Sequence, residues 1–223
     1  MALSKVVIAQ AAARLAQPFI PINLVTVNDM AVNLIICAGK FQWHRHEQMD
    51  EIFYVHSGSM LLETEIGSAV LNAGELIFAP ANVAHCPSAA EPSQVLFFLK
   101  YHAFPRNGDR NTLPRHSQLP GKVKLRERSE RRRAWQIEDV AMFDDFAARA
   151  VTCEGAQPWH EHPADDEMVL AHQGPLRLEV GSDTLELESG DLAVVPHDQR
   201  HRLSAGARAS ALLISRISAQ TPE

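Results

Sequence analysis

Short apolar runs, rich in β-branched and aromatic residues and closed by glycine or proline, recur along this chain. Glu51-Ile-Phe-Tyr-Val-His56 runs up to Gly58, and Leu76-Ile-Phe-Ala79 lies between Gly74 and Pro80. Runs of this kind are strands, because branched and aromatic side chains suit a pleated, half-buried surface. Helix has little room. Residues 1–20 are the exception: alanines and a leucine at helical spacing predict a short N-terminal helix starting near Ser4. The remainder predicts an all-β chain of many short strands, a sandwich or a barrel, and closure into barrels would leave no exposed edges.

The pattern occurs twice, with one constant offset. His44 and His160, His46 and His162, Glu51 and Glu167, and His85 and His201 are each 116 positions apart. Cys37 and Cys153, Trp43 and Trp159, Gly58 and Gly174, and Pro80 and Pro196 keep the same interval. A register without insertions implies two domains with matching strands and turns. The expected boundaries are residues 21–104 and 134–218. Between them, 105–133 reads as irregular linker from Pro105, Asn107, Gly108, Asp109, Pro114, Pro120 and Gly121.

The repeated residues carry chemistry. Side chains alternate along a strand, so each His-x-His pair sends both imidazoles to one side, expected to be the barrel interior. Glu51 and Glu167 can start the next strand facing the same interior, and His85 and His201 arrive from a later strand pair. Three neutral imidazoles and a carboxylate suit a divalent iron, manganese, nickel, cobalt or zinc ion, and an octahedral ion would keep two positions free.

These residues resemble the motifs of the cupin superfamily. Gly39, His44, His46, Glu51 and Gly58 match the first motif, with one residue fewer after the leading glycine. Gly155 through Gly174 repeats that departure. Gly74, Pro80 and His85, and again Gly190, Pro196 and His201, match the second motif. There Asn82 or Asp198 stands for a glycine, and Ala89 or Ala205 for an asparagine. The resemblance implies two tandem jelly-roll β-barrels, a bicupin with a metal in each half, iron or manganese being favoured.

Neighbouring positions divide between wall and surface. Phe53, Val55, Val169 and Ala171 share the inward face of the glutamates and are the candidate pocket lining. Trp43, Trp159, Tyr54, His56 and His172 fall on the outward parity, the two histidines as structural groups, and Cys86 should face away from the metal. The aromatic three would offer apolar surface for a homodimer. The basic stretch Lys122 to Arg133 reads as solvated linker or edge strand. The second site, with Glu161, Asp165 and Asp166 against Glu47, Met49 and Asp50, reads as the more acidic.

Composition narrows the partners. A net charge of −6 and a pI near 6.0 argue against nucleic acid. Three cysteines form neither an even framework nor a CxxC pair, which fits a reducing, cytoplasmic setting. The start lacks the pattern of a cleaved signal, and no run reaches the roughly 18 apolar residues of a membrane span. The resulting expectation is a metal-dependent enzyme acting on a small molecule, a dioxygenase first, since the resembled family includes ring- and chain-cleaving dioxygenases. The alternatives are an isomerase, epimerase or decarboxylase of sugars or organic acids, and a non-catalytic ligand-binding module.

Overall fold

The computed structural model describes residues 3–100 and 116–217. The chain opens with β1 (Lys5–Val7) and α1 (Ile8–Ala12). The first half continues through β2 (Ile22–Val27), β3 (Met30–Lys40), β4 (Glu51–Ser57), β5 (Ser59–Thr64), β6 (Gly67–Asn72), β7 (Glu75–Ala79) and β8 (His85–Lys100). After β9 (Val123–Lys124) and α2 (Leu125–Glu130), the second half repeats the series. It comprises β10 (Ile137–Phe143), β11 (Phe146–Ala156), β12 (Glu167–Gln173), β13 (Leu176–Val180), β14 (Asp183–Leu187), β15 (Asp191–Val195) and β16 (His201–Arg216).

Each half is one antiparallel eight-stranded sheet, and the two have the same strand order. The first runs β2-β3-β8-β4-β7-β9, with β5 and β6 branching from β8; the second runs β10-β11-β16-β12-β15-β1, with β13 and β14 branching from β16. The long strand makes the jelly-roll bend. The start of β8 pairs with β5, as in Thr64↔His85, while its later part pairs with β3 and β4, as in Leu34↔Leu96 and Tyr54↔Leu96. Gly39 and Gly155, at φ 77° and 76°, sit where β3 and β11 shift register. Positive φ is cheap only for glycine there, and a bulge at that point bends the strand shortly before the first histidine ligand.

Hydrogen bonding does not close either sheet among the described residues. Each order has two ends, so the expected closed barrel is a rolled sheet whose halves meet through side chains. Cys37, Val55, Leu62, Leu71 and Val95 form part of the first core, and their counterparts Cys153, Ala171, Leu178, Leu187 and Ala211 part of the second. The inward alternation of each strand supplies this burial, the main favourable term in the fold.

The eighth strand of each sheet comes from an unexpected place. β1, at the chain's start, pairs with β15 of the second half through Lys5↔Ala193 and Val7↔Asp191. β9, which leads into the second half, pairs with β7 of the first through Leu76↔Val123. The chain accordingly divides into Gln10–Lys124 and, as a second compact unit, Met1–Ala9 with Leu125–Glu223. Lys5 donates from Nζ to Asp191 and to the carbonyl of Glu186; Lys122 donates in the same way to Glu75 and the carbonyl of Val70. Asp191 and Glu186 are the offset partners of Glu75 and Val70, so the leader segments are themselves a repeat.

Two expectations change with this finding. The N-terminal segment is helical only over Ile8–Ala12, because the open edge of β15 captures Lys5–Val7 as a strand. Pairing along an exposed edge outweighs a weak helix propensity. The linker is regular over β9 and α2, and the basic stretch lies on them, with Arg126 bridging Glu130 and both Arg128 and Arg132 bridging Glu138. Residues 105–115 of the expected linker and Ser218 at the expected end of the second domain lie outside the described residues.

Candidate metal centres

In each half the ligand residues converge from three places. Glu51 and Glu167 are the first residues of β4 and β12, and His85 and His201 the first of β8 and β16. The His-x-His pairs lie beyond the ends of β3 and β11, in extended chain rather than in the ladders their spacing suggested. One isolated bridge holds each pair: His44 donates to His85 at 3.0 Å and His85 back at 2.8 Å, with 3.0 and 2.8 Å for His160 and His201. The chain stays extended, so alternation still sends both imidazoles to one point although the ladder has stopped.

The turn before the last histidine is anchored to the same chain. The backbone N–H of Asn82 donates to the His46 carbonyl at 2.6 Å, and that of Asp198 to His162 at 2.9 Å. Both residues are left-handed, at φ 67° and 58°. Asparagine and aspartate tolerate this region better than other non-glycine residues, which accounts for their standing where the family motif carries glycine. Asp50 accepts from the N–H of Ala81 and Asp166 from that of His197, tying the approach to the glutamate to the same turn.

The donor atoms of each set lie within 4.8 Å of one another. In the first, Glu51 Oε2 is 2.8 Å from His85 Nε2, 3.3 Å from His46 Nε2 and 3.9 Å from His44 Nε2. In the second, Glu167 is 3.6 Å from His162 Nε2 and 3.4 Å from His201 Nε2. Adjacent donors around an ion bound at about 2.1 Å stand about 3 Å apart, so the spacings suit one metal in each set. Buried ring nitrogens fit the same reading: Nε2 of His46, His162 and His201 has no hydrogen-bond partner. The other ring nitrogen of His44, His85, His160 and His201 faces the carbonyl of Gln42, Val83, Pro158 and Gln199. A proton held there leaves the Nε2 lone pair directed at the shared point.

Electrostatics prepare the donors. Burial raises the Glu51 carboxyl, but the imidazoles of His46 and His85 beside it outweigh that effect and hold the group well below the usual carboxylate range. The same balance brings Glu167 to about 2. Burial, then the charge of His85, lowers His44 to about 4; burial and His201 lower His160. Anionic glutamate and neutral imidazole are the forms that coordinate a metal.

A cavity of about 140 Å³ opens on the first set, and His44, His46 and Glu51 form part of its wall. The remainder is apolar, including Phe19, Ile35, Phe41, Phe53, Phe97 and Leu99. Phe53 is thus both in the wall and in the first hydrophobic cluster, which also holds Val55; Val169 and Ala171 belong to the second cluster. Sequence reasoning missed Phe41, which lies within the first motif, and Phe19, Phe97 and Leu99, which lie outside both motifs. The 116-residue register runs unbroken from Phe19 and Trp135 to Leu99 and Ser215, but it pairs Phe41 with Gln157 and Leu99 with Ser215, so it does not mark the wall.

Tyr54 corrects an expectation, being only 4% exposed. β4 is buried on both faces, with Ile52 1% and Phe53 2% exposed, so outward parity does not mean solvent. Trp43 is 50% exposed, while Trp159 is half-buried with the Arg202 guanidinium 4.9 Å from its ring centroid. His56 and His172 are half-buried, and burial is the first cause of their lowered pKa values. Cys86 donates from Sγ to the Phe41 carbonyl, and Cys37, Cys86 and Cys153 are free and buried. Asp50 and Asp166 are equivalent and Glu47 corresponds to Pro163, so the acidity particular to the second set rests on Glu161, in the place of Arg45, and on Asp165, in the place of Met49 and 4% exposed. No described helix is long and apolar enough to cross a membrane.

Two jelly-roll sheets in tandem, each bringing three histidines and a glutamate together at one end, define a bicupin. The chain belongs to the cupin domain family, whose model matches residues 36–99 and again 152–215. A cupin 2 conserved barrel domain protein from Leptotrichia buccalis shares the fold at TM-score 0.75 and 13% identity, over 97% of this chain and 98% of that one. Salicylate 1,2-dioxygenase from Pseudaminobacter salicylatoxidans aligns at TM-score 0.73 and 12% identity, over 96% and 84%. Bacillus subtilis oxalate decarboxylase, with its Mn(II) centres, aligns at 0.56 and 18%, over 87% and 70%. Among curated sequences, the uncharacterized protein YdbB of Bacillus subtilis (strain 168) is 35% identical over 60 residues, 26% of this chain. Those residues are 53% of that relative, so the match spans about half its length.

Proposed function

We propose that this bicupin is a metal-dependent enzyme acting on a small organic molecule, an oxygen-using dioxygenase, with His44, His46, Glu51 and His85 holding one divalent ion and His160, His162, Glu167 and His201 a second. The observation that carries the reading is the first donor set, three imidazoles and a carboxylate converging beside an apolar cavity, with His44, His46 and Glu51 in its wall. Iron or manganese suits these ligands. When bound, such an ion supplies Lewis-acid and redox chemistry to whatever occupies the cavity. The chain's own residues fix the imidazole tautomers, keep Glu51 ionised and surround the substrate with Phe19, Phe41, Phe53 and Phe97, which exclude water.

Isomerase, epimerase or decarboxylase chemistry needs a group that moves a proton. Among the described residues of the first cavity wall, the ligands His44, His46 and Glu51 are the only titratable side chains. This favours chemistry at the metal over proton transfer by a side chain. The fold-level likeness to salicylate 1,2-dioxygenase is in keeping with that choice.

Elemental analysis of the purified protein, beside His46→Ala and His162→Ala, is the first test. Two equivalents of iron or manganese in the parent and one in each variant are expected. Oxygen-electrode measurements on the metal-replete protein then separate the reaction classes. Turnover undiminished under anaerobic conditions would rule out the dioxygenase.

A further inference from the structure

We propose that the first centre is specialised for a neutral molecule about one ring in size, with an apolar body and two neighbouring oxygens of which one is an ionisable hydroxyl, and that the second centre is not. The proposal rests on the metal-enzyme reading and names the substrate class of that site.

Size comes from the cavity. Its volume of about 140 Å³ is close to that of an engineered apolar cavity of about 150 Å³ that takes up benzene. The wall sets the body: apart from the metal ligands it presents aromatic and aliphatic side chains, and its described residues include no lysine or arginine. A ligand there has no polar anchor except the metal.

Charge sets the head. A divalent ion with ionised Glu51 and neutral imidazoles carries one net positive charge. A chelating ligand that gives up one proton on binding cancels it. A dianion such as oxalate would leave a negative charge facing Phe41, Phe53 and Phe97 with no described cation beside it, and an unpaired charge against an apolar wall is costly.

The second centre departs from this design at three cavity positions. The unbroken register puts Gln157 where the first half has Phe41, Asp165 where it has Met49, and Ser215 where it has Leu99. Asp165, 4% exposed, lies 3.8 Å from Arg216 Nε, and Ser215, fully buried, accepts from Arg149 Nη1 at 2.6 Å, so two positions that are apolar in the first half are buried, polar and paired with arginines in the second. The two metal sets are alike, and the residues at the positions equivalent to the first wall are not.

The test uses the full-length protein loaded anaerobically with Mn(II). His162→Ala leaves metal in the first centre, and His46→Ala leaves it in the second. Calorimetric titration with catechol and with oxalate then gives each centre its own affinities. At the first centre catechol should bind at least about tenfold more tightly than oxalate, and it should bind there more tightly than at the second. Phe41→Gln with Met49→Asp, made in the His162→Ala background, should weaken catechol at least about tenfold with bound Mn(II) unchanged. Both new residues already occupy the equivalent places in the second half. If the double variant sheds its metal, Leu99→Ser reports on the same wall at a third position.

Oxalate binding as tightly as catechol, or unaltered catechol affinity in the wall variants, overturns the substrate class and leaves the metal reading standing. Failure of the His162→Ala protein to retain Mn(II) overturns both, and elemental analysis distinguishes the two failures.

Discussion

Replacing Lys5 with methionine should weaken the second half of the molecule and leave the first half as it was, although Lys5 precedes the first half in sequence. Lys5 Nζ lies 2.7 Å from Asp191 Oδ2, and the side chains are 33% and 5% exposed. At that distance and an effective dielectric of about 20, the gross attraction is about 6 kcal/mol. Most of it is offset by the solvent both groups give up, and the lysine stays partly hydrated. Loss of one partner from such a pair nets about 1–3 kcal/mol, chiefly because the aspartate is left buried and charged. Hydrogen exchange read by mass spectrometry should show amides of β12, β15 and β16 exchanging about 5- to 150-fold faster, with β3, β4 and β7 unchanged. Adding Asp191→Asn, which removes the stranded charge, should recover most of the loss. Lys122→Met is the mirror experiment: Glu75, 7% exposed, loses a partner at 2.7 Å, and the faster exchange should fall in the first half. Faster exchange confined to residues 21–100 in Lys5→Met would refute the crossed strand assignment.

Other outcomes follow from single positions. Gly58→Ala should cost about 2–4 kcal/mol, because the added Cβ would lie 2.3 Å from Ser93 Oγ at φ +85°, whereas Gly174→Ala, 3.1 Å from Ala209 Cβ, should cost about 1–2 kcal/mol. Equal melting temperatures for the two would contradict this. Metal-stripped protein should lose stability as pH falls from about 6.5 to about 4. His44 takes up its proton near 6.5 when unfolded and near 4 when folded, so the unfolded state binds more protons across that window, a loss on the order of 3 kcal/mol. Glu51, held low in the folded state, adds its own loss only below the ordinary carboxylate range, and urea titrations at pH 7, 5.5 and 4.5 separate the two effects. A homodimer is proposed on the 50% exposed Trp43, and light scattering that reports a monomer at micromolar concentration would remove it.

The ligand sets stood out in the sequence because metal chemistry restricts residue type and spacing together. Glu51 must open a strand and His44 and His46 must share a face, so His-x-His and the glutamate recur at one interval. The all-β class was equally plain, since runs such as Glu51–His56 carry it locally. The cavity wall was not legible. Phe19, Phe41, Phe97 and Leu99 come from β3–β4 chain, β8 and the approach to β2, and many apolar residues would satisfy any one of those places. Tyr54 failed for a related reason: alternation tells which side of a sheet a residue faces, and says nothing about whether that side is covered.

By itself, the amino-acid sequence determined the two halves, their strand character and the eight candidate ligands, because each depends on local geometry or on a fixed chemical requirement. Only the tertiary structure decided that β1 completes the second sheet and β9 the first, and that one cavity wall is aromatic. A three-residue strand such as Lys5–Val7 has no strong preference of its own. It takes its conformation and its partner from whichever unpaired edge and buried carboxylate lie within reach, and chain order does not specify those.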